Sequence, residues 1–147
     1  MSTSPSFTVL KVSWQESQLA LQAIRKTVFI SEQNVPESLE WDGLDAQCLH
    51  LLAVDPHGQP IGCARLLASG HIGRMAVLSE WRGRGVGAAL LHALLDIARR
   101  QSHSEVFLNA QTHAVGFYEK YAFERLGDEF LDAGIPHFKM RRRLNAA

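Results

Sequence analysis

Several things are scarce in this chain, and each scarcity excludes a class of protein. No apolar run approaches the roughly 20 residues that a membrane-spanning helix needs. Neither sign of charge is in excess: 15 lysines and arginines face 15 aspartates and glutamates. A protein whose main partner is nucleic acid or an anionic membrane would carry a basic surplus, so neither partner is expected. Cysteine is limited to Cys48 and Cys63, with no C-x-x-C pair. That excludes a disulfide scaffold and points to free thiols in the cytoplasm. His71, His92, His103 and His113 have no cysteine or carboxylate at metal-ligand spacing, so no metal is expected. Residues 1–6 have neither a basic n-region nor an apolar h-region and are expected to form a loose tail. There is no internal repeat and no low-complexity segment. With 147 residues, 46% of them apolar, the chain suits one domain spanning residues 1–147 with its own core.

What is present is concentrated in residues 71–100, HIGRMAVLSEWRGRGVGAALLHALLDIARR. An apolar run ends in the polar turn Ser79-Glu80-Trp81 and is followed by Arg82-Gly83-Arg84-Gly85-Val86-Gly87. From Val86 the period changes: Val86, Leu90, Leu94 and Ile97 recur at helical spacing, with Leu91, Leu95 and Ala98 widening the stripe. The segment therefore reads as strand, glycine loop, helix. The first N–H groups of a helix have no internal partner and carry the positive end of its dipole. Glycines let a ligand approach the backbone, and Arg82 and Arg84 add two cations. Phosphate or pyrophosphate is the natural occupant. A P-loop would require G-x-x-x-x-G-K-[ST], which is absent. A dinucleotide site would require G-x-G-x-x-G with an acidic residue closing the next strand, whereas the glycines are spaced two and two and Glu105 opens a strand.

The remaining pattern places Phe7 to Val12 in a first strand and, after the capping-box pair Ser13 and Glu16, a helix bearing Leu21, Ile24, Val28 and Phe29 and ending near Asn34-Val35-Pro36. Residues 31–47 are acidic and broken by Pro36 and Gly43, a loop with one short helical turn. His50 to Val54 and Ile61 to Ala68 form a hairpin across Asp55-Pro56-His57-Gly58. His71 to Leu78 is the strand before the glycine loop, and Glu105 to Asn109 follows the long helix. Thr112 is placed to cap a helix running to about Tyr121. Phe130-Leu131 and Pro136 to Leu144 close the chain as strands, with Arg141-Arg142-Arg143 read as a solvated basic edge. The order β-α-β-β-β-α-β-α-β-β argues for an α/β domain of mixed α+β character.

Arg82, Gly85 and Gly87 satisfy R-x-x-G-x-G/A, and residues 111–123 resemble N-x-x-A-x-x-x-Y-x-x-x-G-F through Ala114, Tyr118 and Phe123. Together these motifs resemble the GNAT superfamily of N-acetyltransferases, in particular a small bacterial branch of poorly defined substrate. Two positions depart from the pattern: Gln111 stands where Asn is usual and Ala122 where Gly is usual. Gln111 keeps an amide for a cofactor hydrogen bond. Ala122 must either change the turn or bear the roughly 1 kcal/mol cost of positive φ.

The resemblance implies a central mixed, mostly antiparallel sheet flanked by helices, with acetyl-CoA as co-substrate. It places the pyrophosphate on Arg82, Gly83, Arg84, Gly85, Val86 and Gly87. The pantetheine lies along Met75, Ala76 and Val77, with the Val77 N–H as oxyanion donor; ordinary strand pairing is the competing role for that group. Tyr118 is the implied acid for the leaving thiolate, against a packing role beside Phe117. Many relatives carry a glutamate on the strand before the loop, but HIGRMAV has none. The base stays open among Glu32, Glu40, Asp42, Asp132, His137 and water.

The implied activity is acetyl transfer to a small-molecule primary amine, with a homodimer left open. A non-catalytic module that senses acyl-CoA and a nucleotide-binding regulator are the competing functions. For the acceptor, Glu32, Glu37, Glu40, Asp42 and Asp45 with Trp41 suggest either a solvated acidic loop or a wall attracting a cationic amine.

Overall fold

Alternate residues of the central strands belong to different cores, and that alternation sets the layers. A computed structural model of the chain describes residues 6–144; the expected loose tail falls almost wholly outside them. Strand β1 (Thr8–Val12) leads into helix α1 (Trp14–Arg25), which continues as a π-helical segment over Lys26–Glu32. After the short α2 (Glu37–Glu40) come β2 (Leu49–Val54), β3 (Pro60–Leu66) and β4 (Ile72–Val77), joined antiparallel in the order β1-β2-β3-β4. On β2, Leu51 and Ala53 pack beneath helix α3 (Val86–Arg100), while Leu52 packs with Leu21, Ile24 and Val28 of the first helical segment. Successive side chains of a strand point to opposite faces, so this sheet is covered on both sides. That is why β2 and β3 read as nearly unbroken apolar runs.

α3 holds the larger core. Val86, Leu90, Leu91, Leu94, Leu95 and Ala98 are all buried, each large side chain contributing about 1.5–3 kcal/mol of burial. The helix start can approach β3 because position 62 is glycine. A Cβ there would lie 3.1 Å from both Ala76 O and Val86 Cγ1. Ser13 caps α1 as expected: its Oγ accepts from the Glu16 N–H at 3.2 Å and donates to Glu16 Oε1 at 3.1 Å. The hairpin turn also follows its residues, with Asp55 Oδ1 accepting from the N–H groups of His57 and Gln59.

A second antiparallel sheet, ordered β5-β7-β6, contains β5 (Glu105–Gln111), β6 (Glu124–Asp132) and β7 (Ile135–Arg143). The two sheets meet through a parallel bridge between His71 and Phe107 and then separate. The expected element order holds, with the predicted helical turn in residues 31–47 appearing as α2. Three local expectations change. The first helical region keeps its length but loosens into π geometry after Arg25. Thr112 caps nothing: its hydroxyl donates to Glu129 Oε2 at 2.7 Å, residues Thr112–Ala114 form a 3-10 turn, and α4 spans only Val115–Glu119. The arginines of β7 do not lie on a sheet edge, because β7 is the central strand. Arg141 pairs with Glu124 across to β6, and Arg142 donates to the Tyr121 carbonyl. At Ala122 the chain does adopt positive φ (+67°), so alanine bears the strain that glycine would avoid.

Candidate active site

β4 is an edge strand beyond its bridge to β5, so its outer side is open to a ligand that pairs as a strand would. The strand also carries a bulge. Cys63 pairs with Ala76 but Arg65 pairs with Gly73, leaving Arg74 and Met75 opposite the single residue Ala64. Arg74 sits at φ +52°, a left-handed conformation rare outside glycine. Such a bulge re-aims side chains and ends regular pairing. The glycine at position 73, inside a strand pattern, was the available sequence signal for it. Ala76 packs toward α1, while Met75 and Val77 lie on the α3 side.

Six residues on, the loop turns into α3. Gly83 and Gly85 have φ of +76° and +87°, and a Cβ built on either would meet nothing within 4 Å. The space in front of them is therefore open, and conformation is what demands glycine. Gly87 is different: its Cβ would contact the Phe117 ring at 3.6 Å. The first α3 hydrogen bond runs from the Ala89 N–H to the Gly85 carbonyl, which leaves the N–H groups of Val86, Gly87 and Ala88 at a free helix end. The residues thus fit a pyrophosphate. Of the two loop cations, Arg84 stacks on Trp81 with its guanidinium carbon 4.9 Å from the ring centre. Arg82 donates to the Val77 carbonyl at 2.9 Å and makes a two-pronged pair with Glu32 at 2.6 and 2.8 Å.

Between the diverging sheets lies a cavity of about 300 Å³. Its lining includes Met75, Gln111, Tyr118, Asp132 and His137, drawn from β4, β5, α4, β6 and β7. The Tyr118 hydroxyl donates to Met75 Sδ at 3.4 Å. Burial pushes its phenol up to about 12. Gln111 donates to Gln33 Oε1 at 2.7 Å across the cavity mouth, so its amide is already engaged.

The five base candidates separate. Glu32 lies on Arg82, and that contact holds its carboxyl below the usual range. Glu40 and Asp42 belong to an internal ion-pair ring, described next. Asp132 is exposed at the cavity rim. His137 is buried, and its Nδ1 lies 2.6 Å from the Ile135 carbonyl. A carbonyl only accepts, so in the neutral ring the proton sits on Nδ1 and the lone pair on Nε2.

The acidic loop is not an open negative field. Arg25 pairs with Glu40 and Asp45 at 2.8 and 2.7 Å, Arg65 with Asp45 and Asp42, and Arg74 with Glu40 and Asp42 at 3.0 and 3.2 Å. Three carboxylates and three guanidiniums therefore cancel within one cluster. Burial lowers Arg25 and Arg65, but their carboxylates more than offset it and both are raised. Burial likewise raises Asp42, yet Arg65, the Leu44 N–H and Arg74 hold it down at about 2. The face of Trp41 is covered by Arg25, 5.0 Å from the ring centre, and its indole N–H donates to Glu37. The expected attraction of this stretch for a cation is corrected accordingly: its charge is spent inside the protein. The arginines that neutralise it come from α1, β3 and β4, and no pattern local to residues 31–47 shows them.

An open strand edge with a bulge, a glycine-lined helix start and a cleft between splayed strands thus lie side by side in one domain. The chain belongs to the GNAT family: residues 14–144 match the model of the acetyltransferase (GNAT) domain. An uncharacterized N-acetyltransferase of Bacillus subtilis, YjcF, is 40% identical over 123 residues, covering 81% of this chain and 87% of its own. The crystal structure of an acyl-CoA N-acyltransferase from Pseudomonas aeruginosa is 34% identical with a TM-score of 0.79, covering 95% and 99%. That of Escherichia coli ElaA is 28% identical with a TM-score of 0.81, covering the same shares.

Proposed function

We propose that the protein transfers the acetyl group of acetyl-CoA to a primary amine by direct attack on the thioester. The observation that carries this reading is the Tyr118 hydroxyl resting on Met75, at the point where the open β4 edge meets the cavity. In this reading, the N–H groups from Gly83 to Gly87 and the side chains of Arg82 and Arg84 hold the pyrophosphate. Arg82 exchanges Glu32 for phosphate. The backbone of Met75, Ala76 and Val77 pairs with the pantetheine, and the Val77 N–H points at the thioester oxygen as charge develops there.

His137 serves as base through Nε2, taking a proton from the ammonium and passing it to solvent. The free amine forms the new C–N bond and the C–S bond breaks. Tyr118 gives its proton to the departing sulfur and is reprotonated by the proton that nitrogen loses. A phenol at about 12 donates poorly to a thiolate in water. Inside the cleft the match is closer, because removal from water raises the proton affinity of a departing thiolate as well.

The test is release of free CoA thiol from acetyl-CoA over a panel of amines, read beside melting curves. Stabilisation by acetyl-CoA with amine-dependent thiol release supports the reading. Stabilisation without release for any amine assigns the chain to acyl-CoA sensing, and stabilisation by ATP or NAD in place of acetyl-CoA rejects the donor.

A further inference from the structure

We propose that the acceptor carries a carboxylate beside its amine, and that Arg74 receives it. This inference rests on the acetyltransferase reading and names the substrate class of the same cavity.

Arg74 differs from the other two cations of the ring. The side chains of Arg25 and Arg65 are 1% and 5% exposed, whereas that of Arg74 is 24% exposed and lines the cavity. Its Nη2 donates to the Glu40 carbonyl at 2.9 Å and to Asp42 Oδ2 at 3.2 Å; its buried Nε, 3.0 Å from Glu40 Oε2, and its Nη1 make no hydrogen bond among the described residues. Both of its carboxylates are shared. Glu40 accepts from Arg25 at 2.8 Å, and Asp42 accepts two hydrogen bonds from Arg65. Arg74 is thus the under-compensated member of the cluster. The direction of its titration agrees: burial lowers it, and Arg65 and Arg25 add repulsion that Glu40 and Asp42 do not cancel. An anion arriving from the cavity would supply the missing partner, and a guanidinium presents the planar geometry that a carboxylate matches.

The position fixes what sort of anion. Arg74 is the bulge residue, immediately before Met75, on whose sulfur the Tyr118 hydroxyl rests. Arg74 and Tyr118 line this one cavity, so an acceptor anchored on Arg74 by its carboxylate presents an amine to the acyl transfer point from within it, as an amino acid can. A single partly exposed guanidinium in a cluster of zero net charge suits a monoanion rather than a phosphate dianion. The other ionisable groups lining the cavity are Tyr118, Glu40, already held by two arginines, Arg65, turned into the ring, Asp132 at the rim, and His71, His113 and His137. None supplies a carboxylate free to draw a polyamine into the centre, while Phe29, Val35, Leu39 and Leu67 offer apolar contact to a side chain.

The experiment compares kcat/KM for matched pairs: amino acids, their carboxamides and their decarboxylated amines, with an aminoalkyl phosphate as a further arm. The carboxylate form is expected to be preferred by at least about tenfold, the usual scale of a charged hydrogen bond. In Arg74→Gln that preference should fall to about one, through KM, and Arg74→Lys should restore part of it. A wild-type preference for the carboxamide, the decarboxylated amine or the phosphate overturns the proposal. So does an acid preference that survives Arg74→Gln. Because Arg74→Gln also removes two ion pairs of the ring, the second readout uses the wild type saturated with CoA. An N-acetylamino acid should raise its melting temperature and the matching N-acetylamine should not. That readout separates the two readings: absence of turnover with every amine rejects acetyl transfer, while equal stabilisation by both products rejects the anion site.

Discussion

On the proposed reading, the donor and acceptor sides of the cleft are built in opposite ways. The donor side is one continuous stretch, β4 through α3, and its ligand-facing groups are backbone N–H groups displayed by Gly83 and Gly85. The acceptor side is assembled from the π-helical segment, the β4 bulge, the end of β5, α4 and the β6–β7 turn, and its ligand-facing groups are side chains. Backbone at a helix start offers the same geometry whatever side chains surround it, so a short motif can specify it. A charged side chain means nothing until its partners are known. The acidic loop illustrates this: five carboxylates in the fourteen residues from Glu32 to Asp45 look like a magnet for cations, yet three are cancelled by arginines that lie between 15 and 34 positions away.

This contrast can be broken most severely on the donor side. Gly85→Trp should abolish the melting shift given by acetyl-CoA, a loss of more than about 100-fold in affinity, because the indole fills the space kept open for phosphate. Gly85→Ala imposes the same φ strain with little bulk and should retain a reduced shift. Equal shifts in Gly85→Trp and the wild type would move the donor elsewhere.

On the acceptor side the largest effect is on folding. Arg25→Met removes the guanidinium from buried Glu40 and Asp45 and should cost about 3–5 kcal/mol in a denaturant titration. The residual folded protein should still be stabilised by acetyl-CoA, since the glycine loop does not depend on the ring. A loss below about 1 kcal/mol would mean that the ring is not the structural core of that wall.

Chemistry at the junction of the two sides comes next. Tyr118→Phe should lower kcat by roughly 10²-fold, the scale of a lost general acid, with little change in acetyl-CoA affinity. An unchanged kcat would show that another group protonates sulfur or that chemistry is not rate-limiting.

The acid limb of stability is smaller. Asp42 is held at about 2 in the fold, below its ordinary value, so its stabilisation is present above about pH 4 and is lost as pH falls through 2. The expected loss from this exposed residue, discounted for solvent screening, is on the order of 1 kcal/mol. Asp42→Asn should flatten that part of the profile; an unaltered acid limb would place the titrating groups elsewhere. The smallest effect belongs to the exposed contact that joins the two sides. Glu32→Gln releases Arg82 and should change acetyl-CoA affinity by no more than about fivefold, as exposed pairs are worth 0–1 kcal/mol. The direction should be toward tighter binding, because Arg82 no longer has to leave a partner.

The sequence by itself determined the strand-loop-helix at the donor side, the order of the elements, the Ser13 cap, the Asp55 turn and the presence of Tyr118 beside the second motif. All of these depend on interactions within a few residues: hydrophobic period, glycine conformation, capping geometry. Only the tertiary structure decided that β7 inserts between β5 and β6, that β4 bulges at Arg74, that Gln111 is met by Gln33, and that His137 turns its Nδ1 to the Ile135 carbonyl. It also decided that the acidic loop is neutral in place. Those outcomes are pairings between residues remote along the chain. A one-dimensional pattern records which groups are available, but charge cancels and hydrogen bonds close only between atoms that the fold brings within a few ångströms.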